Sequence, residues 1–135
     1  MAARRQNGPL EVHNGQINPR IYNNLPQDWG YTVRDVSPTW RSGIGLSADG
    51  KTFYYLCGSS LSMEAFAKSM QAVGIENGIQ LDINNYWVHF VAVRNNVNKL
   101  SLEPLFPDMM NENFDRYLYP YTRDYFIVTL VRSQG

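Results

Sequence analysis

"RSGIGLSADGKTFYYLCGSSLSMEAFAKSMQAVG", Arg41 to Gly74, changes its hydrophobic period halfway along, and that change decides the fold. Up to Cys57 the apolar residues alternate. Ile44 and Leu46 lie on one arm, Phe53, Tyr55 and Cys57 share a face of the other, and Asp49-Gly50 between them suits a reversing turn. From Ser62 onward the spacing becomes helical. Met63, Phe66, Ala67, Met70 and Val73 form one stripe, Ser62 is placed to cap the first amides, Glu64 sits in the favourable first turn, and Gly74 can supply the left-handed stop. The pattern predicts a hairpin followed by a helix over Ser62 to Val73, laid across the sheet by its apolar stripe.

Working outward, "PLEVHNGQI" reads as a second hairpin, because Asn14-Gly15 tolerates the positive φ angles of a tight turn. The stretch from Ile17 to Trp40 has prolines and little periodicity, so it reads as surface loop anchored by Tyr22, Trp29 and Trp40. After the helix the pattern predicts a strand at Ile79 to Ile83 and another at Tyr86 to Val93, ended by Asn95 and Asn96. "LSLEPLFPDMMNENF" reads as irregular or partly helical. Tyr125 to Val131 is a β-favouring run that fits a strand buried on both faces. The expectation is one α/β (α+β) domain over residues 1–135: a mixed central β-sheet, one main amphipathic helix across it, and long irregular loops, with 1–40 as a loop-rich N-terminal segment.

Composition narrows the function classes. Twelve basic residues balance twelve acidic ones, so there is no electrostatic footprint for nucleic acid. One cysteine, Cys57, excludes an intrachain disulfide, and with only His13 and His89 beside it no zinc site, metal or cofactor is expected. Cys57 lies in a strand-like run and reads as an inert buried thiol. No apolar run approaches the roughly 20 residues that cross a bilayer, so no membrane insertion is expected, and "MAARRQNGPL" lacks the apolar core of a secretory signal.

The order of hairpin, helix and strand from Trp40 to Phe90 resembles the phosphodiester glycosidase domain family, which includes the lysosomal uncovering enzyme. The hairpin matches at Arg41, Ile44, Gly45 and Gly50, and the helix with its following strand at Leu61, Glu64, Ala67, Met70, Gly74, Leu81 and Asp82. "LDINNYW" and "RYLYPYTRDYF" are similar to a bacterial subgroup of that family. Two motifs depart from it. The family's Leu-Asp-Gly-Gly-Gly-Ser turn is here Leu81-Asp82-Ile83-Asn84-Asn85-Tyr86, and its Asp-Gly-Arg before the helix is here Cys57-Gly58-Ser59-Ser60. The resemblance implies the C-terminal half of such a domain, in an extracytoplasmic setting, with self-association or pairing with an N-terminal half.

It also implies a carbohydrate or sugar-phosphate ligand, and hydrolysis of a glycosyl phosphodiester or a related cell-envelope glycan. The alternative is a catalytically degenerate carbohydrate-binding or structural module. Asp82 is the candidate catalytic carboxylate, as base or partner of a sugar hydroxyl; its other reading is a cap on the loop after the strand. Arg41, Arg116 and Arg123 are candidate phosphate anchors because a guanidinium fork pairs with two oxygens; the other reading of Arg41 is a salt bridge at a strand start. Asn84 and Asn85 are candidates for bonding sugar hydroxyls, and Tyr86 or Trp87 for stacking on the ring. His89 reads as a proton carrier or as a hydrogen-bonded structural histidine.

Overall fold

The structure, a computed structural model, describes residues 8–23, 25–32, 38–97, 99–107, 114–120 and 122. Strands β1 (Leu10–His13) and β2 (Gln16–Ile17) form the first hairpin, with Asn14 and Gly15 both at positive φ as the Asn-Gly pair predicts. A 3-10 turn (Pro19–Asn23) and a short helix α1 (Pro26–Trp29) follow. The long hairpin is β3 (Thr39–Ser47) and β4 (Phe53–Leu61), then come helix α2 (Met63–Ala72) and strand β5 (Ile75–Ile83). These strands make one five-stranded sheet in the order β2-β1-β5-β3-β4, with every pairing antiparallel. A separate antiparallel hairpin, β6 (Val91–Asn96) and β7 (Lys99–Pro104), and a 3-10 turn (Phe114–Leu118) complete the described chain.

Helix α2 forms where its local chemistry places it. The Ser62 hydroxyl accepts the Ala65 amide at 3.1 Å, and Gly74 at φ +83° ends the helix, its amide bonded to the Gln71 carbonyl. Met63, Phe66, Ala67 and Met70 are buried against the sheet with Val12, Ile21, Trp29 and Ile75. The helix lies unusually close because the strands beneath it are bare. A Cβ on Gly43 would stand 2.2 Å from the Met70 methyl and 2.7 Å from the Ile79 carbonyl oxygen. Val73, assigned to the apolar stripe by its spacing, is 46% exposed, because the turn that ends the helix points it outward.

The opposite face of the sheet carries Ser42, Ile44 and Leu46, paired across to Cys57, Tyr55 and Phe53. Part of it is covered by a second cluster in which Trp40, Cys57, Val91 and Tyr117 surround the buried Val88. Phe90 packs on Tyr55 with ring centroids 5.0 Å apart, and Trp40 on Phe106 at 6.3 Å.

Several sequence expectations are corrected. The strand before the candidate site starts at Ile75 rather than Ile79, and no strand runs from Tyr86. Asn84 takes φ +72°, and its carbonyl accepts the amides of Trp87 and Val88, so residues 84–87 make a turn and β6 starts only at Val91. "LSLEP", read as irregular, is strand β7, and with β6 it forms a second sheet where one was expected. Of the three aromatic anchors of the long loop, Trp29 is buried, Trp40 is half-buried within β3, and Tyr22 is exposed. The strand expected at 125–131 lies outside the described residues.

Phe66→Ala should cost about 3–5 kcal/mol, since the ring is fully enclosed between helix and sheet. Gly43→Ala should cost about 1–3 kcal/mol, because the Met70 methyl can move aside but the Ile79 carbonyl cannot. Urea titration of both variants measures this. A loss below about 1 kcal/mol for Phe66→Ala would place the helix on the surface.

Candidate functional site

The site rests on two of the three breaks in strand register along β5, one on each edge. On the β3 side, Gly43 opposes Gln80 and Arg41 opposes Ile83, so two steps on β3 span three on β5 and the extra residue falls at Leu81-Asp82. Such a bulge re-aims side chains. Asp82 emerges exposed, while its carbonyl is held by the Ser42 hydroxyl at 2.7 Å. On the β1 side, Leu10 opposes Ile79 and Val12 opposes Gly78, leaving Glu11 without a partner of its own. Strict alternation would put Glu11 opposite to Val12 and towards solvent. The bulge instead leaves both at 0% exposure.

Arg41 lies in the same core, 3% exposed. Its Nε donates to the Leu61 carbonyl at 3.0 Å, and its Nη1 donates to Gln80 Oε1 at 2.8 Å and meets Met63 Sδ at 3.4 Å. Burial lowers its pKa and the nearby Glu11 carboxylate opposes that. Neither Glu11 oxygen has a hydrogen-bond partner among the described residues. Burial pushes the Glu11 carboxyl from 4.5 up to about 8, against the attraction of Arg41.

Gln80 carries this core to the surface. Its Nε2 donates to the Trp29 carbonyl at 2.8 Å, and Asn84 Nδ2 donates to the Tyr31 carbonyl at 3.3 Å. The two carboxamides pin residues 29–31 beside the end of β5. Gly30 between them needs its glycine: it sits at φ +83°, and a Cβ would stand 3.1 Å from Ile83 Cδ1. The result is an open concavity of about 560 Å³, walled by Gly30, Tyr31 and Asp28 on one side and by Gln80, Asp82 and Trp87 on the other.

Of the candidates read from the sequence, Asp82, Asn84 and Trp87 line this concavity. Asp82 is exposed and Trp87 is 42% exposed, whereas Asn84 is buried, with its carboxamide spent on Tyr31 and on the Thr39 hydroxyl. Asn85 and Tyr86 are exposed in the turn but are not part of the wall. Arg41 belongs to the core rather than the surface, which corrects its reading as a phosphate anchor: its guanidinium is enclosed, with Nε and Nη1 bonded within the fold. Arg116 bonds His89 Nδ1 at 2.5 Å and the Tyr117 hydroxyl at 3.2 Å, away from the concavity. His89 Nδ1 also lies 2.8 Å from the Tyr117 hydroxyl, which fits its structural reading. Arg123 lies outside the described residues. Cys57 is half-buried and burial raises its thiol pKa, as expected of an inert thiol.

Glu11, Asp28, Gln80 and Tyr31 were not among the sequence candidates. A polar Gln80 between Ile79 and Leu81, on a face shared with glycines, was the one signal available. Asp28 is held by Arg20, whose Nη2 reaches its Oδ1 at 2.6 Å, while its Oδ2 is buried without a partner among the described residues. Among the described residues no group of three metal-ligating side chains converges, and no helix is long and apolar enough to cross a membrane. No known family model matches this chain, and no curated protein sequence does.

The buried acid sets a pH dependence with a definite sign. Because the folded chain holds the Glu11 proton more tightly than the unfolded chain, its contribution is fully present below about pH 4.5 and is lost as pH rises through about 8. Stability should fall across that window by up to about 3–5 kcal/mol. Glu11→Gln should flatten the profile and be the more stable protein above about pH 8. Urea midpoints at stepped pH measure both, and a wild-type profile parallel to that of Glu11→Gln would contradict the burial of an ionisable acid.

Proposed function

We propose that the concavity at the end of β5 is a carbohydrate-binding site, and that the chain works as a binding module rather than as a hydrolase of glycosyl phosphodiesters. The observation that carries this reading is the make-up of the concavity: an exposed Asp82, a 42% exposed Trp87 and an exposed Tyr31 line one space. Sugars present hydroxyls in pairs and apolar C–H faces, which carboxylates and indole rings match. The charged side chains on the described wall are Asp28 and Asp82, both acidic, and Arg41 is enclosed in the core. That balance favours neutral sugars over phosphorylated ones.

Hydrolysis has one observation in its favour, since two carboxyl-bearing residues, Asp28 and Asp82, line one concavity, and glycoside-cleaving sites use a pair of carboxyl groups. Against it, Asp28 is held in an ion pair with Arg20 and is nearly buried. Titration calorimetry with neutral oligosaccharides of glucose, galactose, mannose and N-acetylglucosamine, set beside their 1-phosphates, separates the readings. Neutral sugars should bind more tightly than the phosphates, with tryptophan fluorescence changing on binding. Trp87→Ala should weaken binding roughly tenfold, and Asp82→Asn by less. Release of free sugar from a glycosyl phosphodiester, abolished by Asp82→Asn, would instead establish the hydrolase.

A further inference from the structure

We infer that the concavity at the end of β5 is the docking place of the chain's own residues 1–7, with the Arg4-Arg5 pair seated in it, so that a ligand must displace this arm to bind. Residues 1–7 lie outside the described residues, and the chain continues from them into Gly8, which is itself wall of the concavity. Gly8 takes φ +112°, a conformation that suits glycine, and a Cβ there would stand 3.4 Å from the Asp28 carbonyl oxygen. The arm is therefore tethered at the wall. Arg5 stands three residues before Gly8 and the concavity measures about 560 Å³. Three residues of extended chain span about 10 Å, roughly the width of such a space, before the length of the arginine side chain is added.

Arm and wall are complementary in charge and in shape of group. "MAARRQN" carries two arginines and no acid, whereas the charged residues on the described wall are Asp28 and Asp82. Asp28 is engaged by Arg20 at 2.6 Å, so the exposed Asp82 is the acid that draws the arm. A guanidinium offers a carboxylate its fork of donors and offers aromatic rings its flat face. Trp87 and Tyr31 supply exposed rings on the same concavity. An exposed ion pair between separate molecules is weak, but a short tether at Gly8 holds the arginines beside the wall at millimolar effective concentration. Docking of the arm does not rest on the sugar reading; only its effect on sugar affinity does.

The contact is tested by NMR on the full chain, isotopically labelled and without ligand. At low salt, nuclear Overhauser contacts should join the Arg4 and Arg5 side chains to the Trp87 indole, and they should fade in about 1 M sodium chloride, where charges are screened within about 3 Å. Replacing both arginines, Arg4→Ser with Arg5→Ser, should shift the Trp87 indole N–H signal. The peptide acetyl-Ala-Arg-Arg-Gln-amide, added to that variant, should move the signal back while leaving the wild-type signal in place, and Asp82→Asn should weaken the peptide's effect several-fold. The neutral oligosaccharides should bind the double variant roughly three- to tenfold more tightly than the wild-type chain. Absence of arm contacts to Trp87 at low salt, with a Trp87 signal indifferent to the double substitution, would overturn the docking. Contacts found only between labelled and unlabelled copies in a mixed sample would make a second copy the occupant and overturn it equally, and so would equal sugar affinity of the two chains. If no sugar binds either chain, the sugar reading falls and the Trp87 contacts alone decide the docking.

Discussion

Everything near the end of β5 depends on a guanidinium buried where water cannot reach it. Removing such a charge from water costs several kcal/mol, and the structure recovers it only through acceptors fixed in place. Arg41 finds them on three different elements: the last carbonyl of β4, the first side chain of α2, and Gln80 on β5. The junction from β4 into α2 is thereby tied to the strand that carries the site. A neutral residue there would pack the core at less cost but would not specify how these three elements meet.

Two of the three register breaks along β5 are complementary parts of one arrangement. One brings a carboxyl inward to Arg41, and the other sends a carboxylate outward to solvent. Gly78, at the break on the β1 side, has a bare backbone that lies under Met70 and Ile75. A sheet pressed against a helix absorbs an extra residue as a local bulge, which takes side chains off regular alternation. The site falls at the bulge on the β3 side, where β5 ends.

What was legible in the sequence was what local chemistry decides. The Ser62 cap, the helical stripe and the two glycine turns each bring their cause with them within a few residues, and α2 and both hairpins stand where they were read. What could not be read depends on distant partners. Glu11 alternates correctly for a surface residue between Leu10 and Val12, and only the register of β1 against β5 turns it inward. Arg41 opens a strand, as a surface anchor would, and its burial follows from a helix that packs some twenty residues later. Tyr86 to Val93 has the composition of a strand, but a left-handed Asn84, stabilised by bonds to Tyr31 and Thr39, turns the chain first. At the site, Asp82 and Trp87 were legible as a polar strand end beside an aromatic, whereas the wall made by Asp28 and Tyr31 comes from a segment with no periodic signal.

Whether the concavity suits a phosphate or a neutral sugar turns on what is missing from attraction more than on repulsion. In an open site the surrounding dielectric is close to that of water, and a phosphate about 4 Å from a carboxylate is disfavoured by only about 1 kcal/mol. The larger quantity is the charged hydrogen bonds an arginine would supply, about 1.5–3 kcal/mol each. Arg41 is enclosed in the core, where its Nε and Nη1 donate to Leu61 and Gln80. Those donors hold the wall and cannot also hold a ligand. Under the proposed carbohydrate reading, the residue that the resemblance marks as the anion anchor acts through the shape of the concavity, and Asp82, Trp87 and Tyr31 are the wall residues whose chemistry suits a sugar ring better than a phosphate.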